Sequence, residues 1–176
     1  MVGSDWIEFE KALHIGNRLM KNPKRKVLGL YIICAVNFGL RIGDLLKLKY
    51  SDLQGERLKL EEEKTGKKVD RKINHYVKDA LANFQQEMKE PDQFIFVSQK
   101  GTVYSRQAIN RFLNDQWGIS SHGLRKSFGR YVYESNGSCE DILIKLGEIF
   151  NHSSLAITKR YLGIRQKEID DIFDAM

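Results

Sequence analysis

The sequence predicts a mainly helical fold with one small antiparallel sheet, and three observations predict it. Apolar residues recur at helical spacing through most of the chain. One stretch, residues 56–74, alternates weakly about Thr65-Gly66 instead and reads as a hairpin. The last third, from Ser121 onward, reads as helix throughout.

Taken in order, Asp5 is placed to cap a first helix through Glu8 to Met20, with Trp6, Phe9, Leu13 and Leu19 available for its packed side. Asn22-Pro23 breaks it. A long helix follows from about Arg25 to Phe38. Its run Val27 to Leu40 is the most apolar of the chain but too short to span a bilayer, and it holds Gly29, Asn37 and Gly39, so it reads as a core helix. Beyond Gly39 a shorter helix turns Ile42, Leu45 and Leu46 inward. In the hairpin, Lys64 lies at the first shoulder. A helix from Lys78 to Lys89 ends at Pro91, a strand-like FIFVS follows, and Ser105 opens a helix through Leu113. Helices are then expected over Ser121 to Tyr133, Glu140 to Phe150, Leu155 to Tyr161, and from Gln166. Ser120 or Ser121 is the natural N-cap of the first of these, which turns Leu124, Phe128, Tyr131 and Val132 inward.

At 176 residues the chain fits one domain with a real core. Apolar content of 41% and charged content of 30% exclude a disordered chain. The net charge of +6 leans toward an anionic partner without identifying it. Its distribution says more: cations concentrate at 21–26 and 64–72, whereas the tail RQKEIDDIFDAM is acidic. Two cysteines, Cys34 and Cys139, give neither a metal-binding spacing nor a disulfide framework. The N-terminus lacks the basic-then-apolar pattern of a secretory signal, so a reducing, cytoplasmic setting without membrane insertion is expected.

The chemistry-bearing residues are Arg41 in FGLRIGDLL, Lys64 in EEEKTGKK, His122 and Arg125 in SSHGLRKSF, and His152 nine residues before Tyr161 in NHSSLAITKRYLGI. This set suits attack on a phosphodiester without metal or cofactor. Guanidiniums bind the non-bridging phosphate oxygens in bidentate fashion. Histidine and lysine move protons, and a phenol is a nucleophile once nearby cations favour its phenolate. Each residue alone has a plainer account. His122 can assist a cap, Arg41 and Asp44 at i and i+3 can form a surface pair worth about 0.5 kcal/mol, and a lysine-rich turn can simply be solvated. Among seven tyrosines, Tyr31 and Tyr131 read as core.

The ordered series Arg, Lys, His-x-x-Arg, His and Tyr resembles the catalytic domain of tyrosine recombinases, the phage-integrase family, over roughly residues 25 to 165. The resemblance implies the DNA breaking-rejoining fold and a catalytic set of Arg41, Lys64, His122, Arg125, His152 and Tyr161, with Tyr161 the nucleophile. Asp44 would brace the Arg41 guanidinium from behind. Lys67, Lys68, Arg71, Lys126, Lys159 and Arg160 would touch DNA. One departure is Asn151 before His152, where glycine is common; asparagine tolerates the left-handed backbone such a turn needs. The implied reaction forms a 3′-phosphotyrosyl link and releases a 5′-hydroxyl, giving site-specific recombination. Type IB topoisomerase-like relaxation and a non-catalytic DNA-binding module are the alternatives. Double-stranded DNA is the expected partner, with four copies assembling on it from a chain that can be monomeric when free.

The expected organisation is a single domain: an N-terminal helix or linker remnant (1–24), a catalytic core (25–165) and a C-terminal helix (166–176). That last helix carries Ile169, Ile172, Phe173 and Met176 at helical spacing, ready to dock on its own domain or a neighbour's. Relatives in the family usually carry an N-terminal DNA-binding domain, so the resemblance implies either the catalytic part of a longer protein bearing such a domain, the favoured reading, or a compact member.

Overall fold

The computed structural model describes residues 5–84 and 90–176. Those residues form α1 (Phe9–Met20), α2 (Lys26–Phe38), α3 (Ile42–Leu46), a 3-10 turn (Tyr50–Leu53), β1 (Arg57–Glu61), β2 (Lys68–Lys72), α4 (His75–Phe84), α5 (Arg106–Trp117), α6 (Ser121–Ser135), α7 (Glu140–Phe150), α8 (Leu155–Leu162) and α9 (Ile164–Asp174). The expected class, mainly helical with one small antiparallel sheet, is the observed one. None of the described helices is long and apolar enough to cross a membrane.

Two apolar cores organise the molecule. In the larger, α2 is buried on nearly every side, with Leu30, Tyr31, Ile32, Ile33, Cys34 and Val36 all at most 1% exposed, which is why its apolar run shows no polar face. Around it pack α1, α4, Leu58 and Val69 of the hairpin, and Ile109 and Leu113 of α5. The smaller core is Leu143, Leu146, Phe150, Leu162 and Ile164, joined by Phe128, Val132 and Tyr161. Helix α6 serves both: Leu124 and Tyr131 face the first core, Phe128 and Val132 the second.

The hairpin pairs Arg57 with Lys72 through Glu61 with Lys68. Period-two alternation then sends Leu58, Leu60 and Glu62 to the same inward side; Leu58 is fully buried and Glu62 is 1% exposed. Gly39 ends α2 in the left-handed conformation (φ 55°) and turns the chain toward Arg41.

Local differences from the sequence reading have local causes. Asp5 does not cap α1, whose N-cap position is Glu8 without a side-chain bond. Helix α4 starts three residues early because Asn74 Oδ1 accepts from Val77 N (3.2 Å) and supplies a cap; its expected end at Lys89 lies outside the described residues. FIFVS makes only isolated bridges, Lys49 with Phe94 and Val97 with Val103, because a tight turn at Ser98–Thr102 leaves it no partner long enough for a ladder. Ser105 caps α5, accepting from Ala108 N, and of the two candidates at α6 it is Ser120 that caps, accepting from Gly123 N.

Candidate active site

Arg41 is the N-cap residue of α3, in extended backbone, so its side chain leaves the α2–α3 corner toward the hairpin. Its Nη1 lies 2.6 Å from Glu62 Oε2 and its Nη2 donates to the Phe150 carbonyl at 3.3 Å. The brace expected from Asp44 is therefore supplied by Glu62. Buried Asp44 instead accepts from Glu63 N at 2.9 Å, because the i, i+3 spacing on this five-residue helix aims it at the hairpin backbone. Glu62 also accepts from Thr65 Oγ1 at 2.7 Å. Burial pushes its carboxyl up, but the hydrogen bonds from Thr65 and Arg41 and the charges of Arg41 and Arg125 hold it below the ordinary carboxylate value. One buried carboxylate thus ties a guanidinium to the turn that carries Lys64.

On α6, His122 and Arg125 stand one turn apart behind the Ser120 cap. Arg125 is 4% exposed, and its Nη2 donates to the Phe150 carbonyl at 3.2 Å, the same oxygen that Arg41 reaches. Its guanidinium carbon lies 4.7 Å from the centre of the Phe150 ring, and its Nη1 is buried without a partner among the described residues. A buried donor without a partner is costly; an incoming anion would relieve it.

Phe150 ends α7, whose last carbonyls have no partner within the helix and carry the negative end of its dipole. Cations gather there. Besides the two arginines on Phe150, Lys67 Nζ donates to Glu148 O and Arg71 Nη2 to Ile149 O at 3.3 Å. Lys67 and Arg71, expected on DNA, are thus turned onto protein carbonyls. Burial and the charge of Arg125 lower the Arg71 pKa to about 10, with Arg41 acting the same way against the opposing carboxylates of Glu62 and Asp44.

Asn151 closes α7 in the left-handed conformation (φ 58°, ψ 50°), with its N–H bonded to Glu148 O and His152 N–H to Gly147 O. The turn expected to survive replacement of glycine by asparagine is present. His152 Nδ1 is 3.1 Å from Thr158 Oγ1, and its ring stands 5.3 Å from that of Tyr161 and 5.5 Å from that of Phe150. Burial, then the charges of Arg125 and Arg41, hold both histidines below their ordinary value of 6.5, with Lys64 adding to the effect on His122. Both rings are therefore neutral near pH 7.

Tyr161 projects from the last turn of α8, its ring edge-on to Phe150 at 5.3 Å and its hydroxyl donating to the His122 carbonyl at 3.4 Å. Nearby cations, expected to favour the phenolate, are opposed here by burial. Burial raises its pKa above the ordinary 10, and the charge and hydrogen bond of Arg125, with the charge of Arg41, offset only part of that rise. The phenol is protonated and needs a base when it reacts.

Lys64 lines a cleft of about 400 Å³ with Arg41, Asp44, Glu63, Arg106, His122 and Arg125. Of the remaining expected DNA contacts, Lys68 and Arg160 are exposed, while Lys126 and Lys159 are half-buried. Burial and the charge of Arg130 lower the Lys126 pKa against the opposing charge of Asp5. Three residues of the site went unread in the sequence. Glu62 was signalled by the alternation that places it inward with Leu58 and Leu60. Arg106, paired with Glu63 at 3.0 Å, lies beside Ser105 and so at the start of α5. The Phe150 carbonyl left no signal, since a helix end is found but not aimed.

Residues 6–168 match the phage integrase family. A Bacillus subtilis (strain 168) protein described as probable integrase/recombinase YoeC is 33% identical over 163 residues, covering 88% of this chain and 86% of that protein. Among solved structures, XerA recombinase superposes with a TM-score of 0.71 at 18% identity, over 99% of this chain and 64% of that one. A lambda integrase dimer bound to a COC′ core site gives 0.67 at 22%, over 92% and 60%. XerH site-specific recombinase bound to palindromic difH substrate gives 0.68 at 20%, over 97% and 54%. The chain thus spans less than two thirds of each solved relative, and with them shares the fold of a tyrosine recombinase catalytic domain. By the extent of the family match and by its likeness to the Bacillus protein, this chain belongs to the phage integrase family.

Proposed function

We propose that this chain cleaves and rejoins strands of duplex DNA through a 3′-phosphotyrosyl intermediate, as the strand-exchange step of site-specific recombination. The observation that carries the reading is the Phe150 carbonyl, where two guanidiniums from distant parts of the chain meet beside the Tyr161 ring. Two positive forks separated by one oxygen are spaced to hold a phosphate between them.

In this reading the Tyr161 oxygen attacks phosphorus, the bond to the 5′ oxygen breaks, and that oxygen leaves as a hydroxyl after taking a proton from Lys64. Neutral His122 accepts the phenol proton, His152 donates a hydrogen bond to a non-bridging oxygen, and Arg41 and Arg125 stabilise the charge of the five-coordinate transition state. The tyrosyl ester keeps the energy of the phosphodiester, so a 5′-hydroxyl from another duplex reseals the break. Lys68, Lys126, Lys159 and Arg160 touch the backbone around the cleft. The apolar residues of α9, with Ile172 63% and Phe173 70% exposed, suit docking between protomers of a tetramer on DNA. The DNA-bound state of the lambda integrase and XerH structures supports the partner.

The test incubates the chain with duplex DNA carrying a nick near the cleavage site and looks for a DNA-linked species on a denaturing gel. Tyr161→Phe should abolish the adduct while DNA binding persists. An adduct from the Phe variant assigns the nucleophile to another tyrosine; no adduct from the unaltered chain on any DNA leaves a binding module.

A further inference from the structure

Five residues beyond Arg125 on the same helix, Arg130 is 7% exposed, and the reaction described above makes no use of it. Removing an arginine from water is expensive, and apolar side chains of similar size often fill such a place at no loss of stability. What the guanidinium holds therefore matters. Its Nη1 donates to the Leu162 carbonyl at 2.9 Å, its Nη2 pairs with Glu134 Oε1 at 2.7 Å, and its central carbon stacks 4.1 Å over the Trp6 ring.

Leu162 is the last residue of α8 and follows Tyr161. Its carbonyl is one of the helix end's orphans, since the Gly163 N–H turns back to Arg160 O and Lys159 O. Arg130 fastens the end of the nucleophile helix at the point where Gly163 (φ 70°) redirects the chain into α9. The fork is rigid and its three engagements lie on three separate segments, so a shift of Trp6 or Glu134 is felt at Leu162. Ile7 N–H donates to Ser127 Oγ at 3.2 Å, and Ser127 Oγ–H to Gly123 O at 3.0 Å, which seats the segment bearing Trp6 along α6. Helix α6 thus sends one arginine to the end of α7, at the phosphate clamp, and another to the end of α8, at the phenol.

We infer that Arg130, held by Trp6 stacked on its face, is a positioning residue for Tyr161, coupling the N-terminal segment to the placement of the nucleophile. The inference rests on the reading of Tyr161 as nucleophile. Arg130 touches no reacting atom. A phenol displaced by about 1 Å loses up to a hundredfold in rate, while the phosphate clamp keeps its grip on DNA.

The experiment compares Arg130→Met, Trp6→Ala and Trp6→Phe with a control, Val77→Ala, which opens a cavity at α4 in the larger core. Two readouts are taken on the full chain below all melting temperatures: the single-turnover rate of adduct formation on saturating nicked duplex, and amide exchange of α8 in DNA-free protein. Arg130→Met should slow adduct formation roughly ten- to hundredfold at unchanged DNA affinity and speed exchange at the end of α8. Trp6→Ala should move both readouts the same way by less, and Trp6→Phe, which keeps an aromatic face, should restore them. Equal slowing by Val77→Ala, or unchanged α8 exchange in Arg130→Met, overturns the inference. If the unaltered chain forms no adduct, the parent reading fails, and the exchange readout still decides whether Arg130 holds α8.

Discussion

The two cores of this molecule differ in more than size. The larger one surrounds a helix with hardly any exposed surface and carries Arg41 and the hairpin with Lys64; the smaller rests on five buried residues and carries His152 and Tyr161. The candidate site lies on the seam. One side is built to stay still, and the other, with less apolar surface behind it, has more freedom to move. Beside the apolar faces of α6, what joins them is polar: two arginines on the Phe150 carbonyl, Lys67 and Arg71 on the preceding carbonyls, and Arg130 on Leu162. Such a seam depends on the charge in the cleft, which a phosphate bound as proposed would alter.

Phe150→Ala should damage the smaller core most severely. The ring is fully buried and meets Phe128, His152, Tyr161 and the Arg125 guanidinium, so its loss costs about 3–5 kcal/mol. Amide exchange should show α7 and α8 losing protection while α2 keeps most of its own. Leu30→Ala, also fully buried but in the larger core, costs about 2–5 kcal/mol and should lower protection throughout, because α2 is what the rest packs upon. Equal loss in α2 from both variants would mean that the cores unfold as one.

A smaller effect sharpens the same contrast. Gly129 on α6 has no Cβ where one would stand 2.6 Å from Leu162 and 2.8 Å from the Phe150 ring. Gly129→Ala must push α7 and α8 away from α6, at about 1–3 kcal/mol. Tyr161 moves with them while Arg125 stays. Adduct formation should therefore fall by more than the melting temperature alone predicts, and a rate in proportion to the folded fraction would show that the smaller core absorbs the methyl group without moving the phenol.

How much of this was legible follows from what a pattern encodes. Helix periodicity marks α1 and the last four helices because each has an apolar face that must be covered, and α2 shows itself as a run apolar on every side; Ser105 and the pair Ser120–Ser121 mark helix starts because a hydroxyl before a helix has one common use. The series Arg41, Lys64, His122, Arg125, His152 and Tyr161 was visible as residue types in order, and the structure gathers it about one cleft and the end of α7. The polar partners were not legible. Choosing Glu62 over Asp44 for Arg41 depends on where a hairpin turn falls in space, and directing Lys67 and Arg71 onto protein carbonyls depends on the end of α7 arriving beside them. The state of the Tyr161 phenol is hidden from the sequence for a related reason. Sequence spacing suggests which charges gather, but the burial that opposes them exists only once Phe150 and α6 close around the ring.

The smallest expected effect tests the seam through protons. Folding holds His122 and His152 below 6.5, through burial first and then repulsion by Arg125 and Arg41. As pH falls below 6.5 the unfolded chain takes up protons that the folded chain refuses. Stability therefore falls with pH until the folded histidines titrate as well, whereas above about pH 7.5 their contribution is full and constant. The urea midpoint should drop between pH 7.5 and 5.5, and the double variant His122→Gln, His152→Gln should drop by less. In the proposed DNA complex the sign reverses locally. A phosphate between the guanidiniums cancels the repulsion that keeps the rings neutral, so binding should draw protons in and affinity should rise as pH falls through this range. Affinity independent of pH in the unaltered chain would mean that the phosphate does not reach the histidines, and would set the DNA contact apart from the seam.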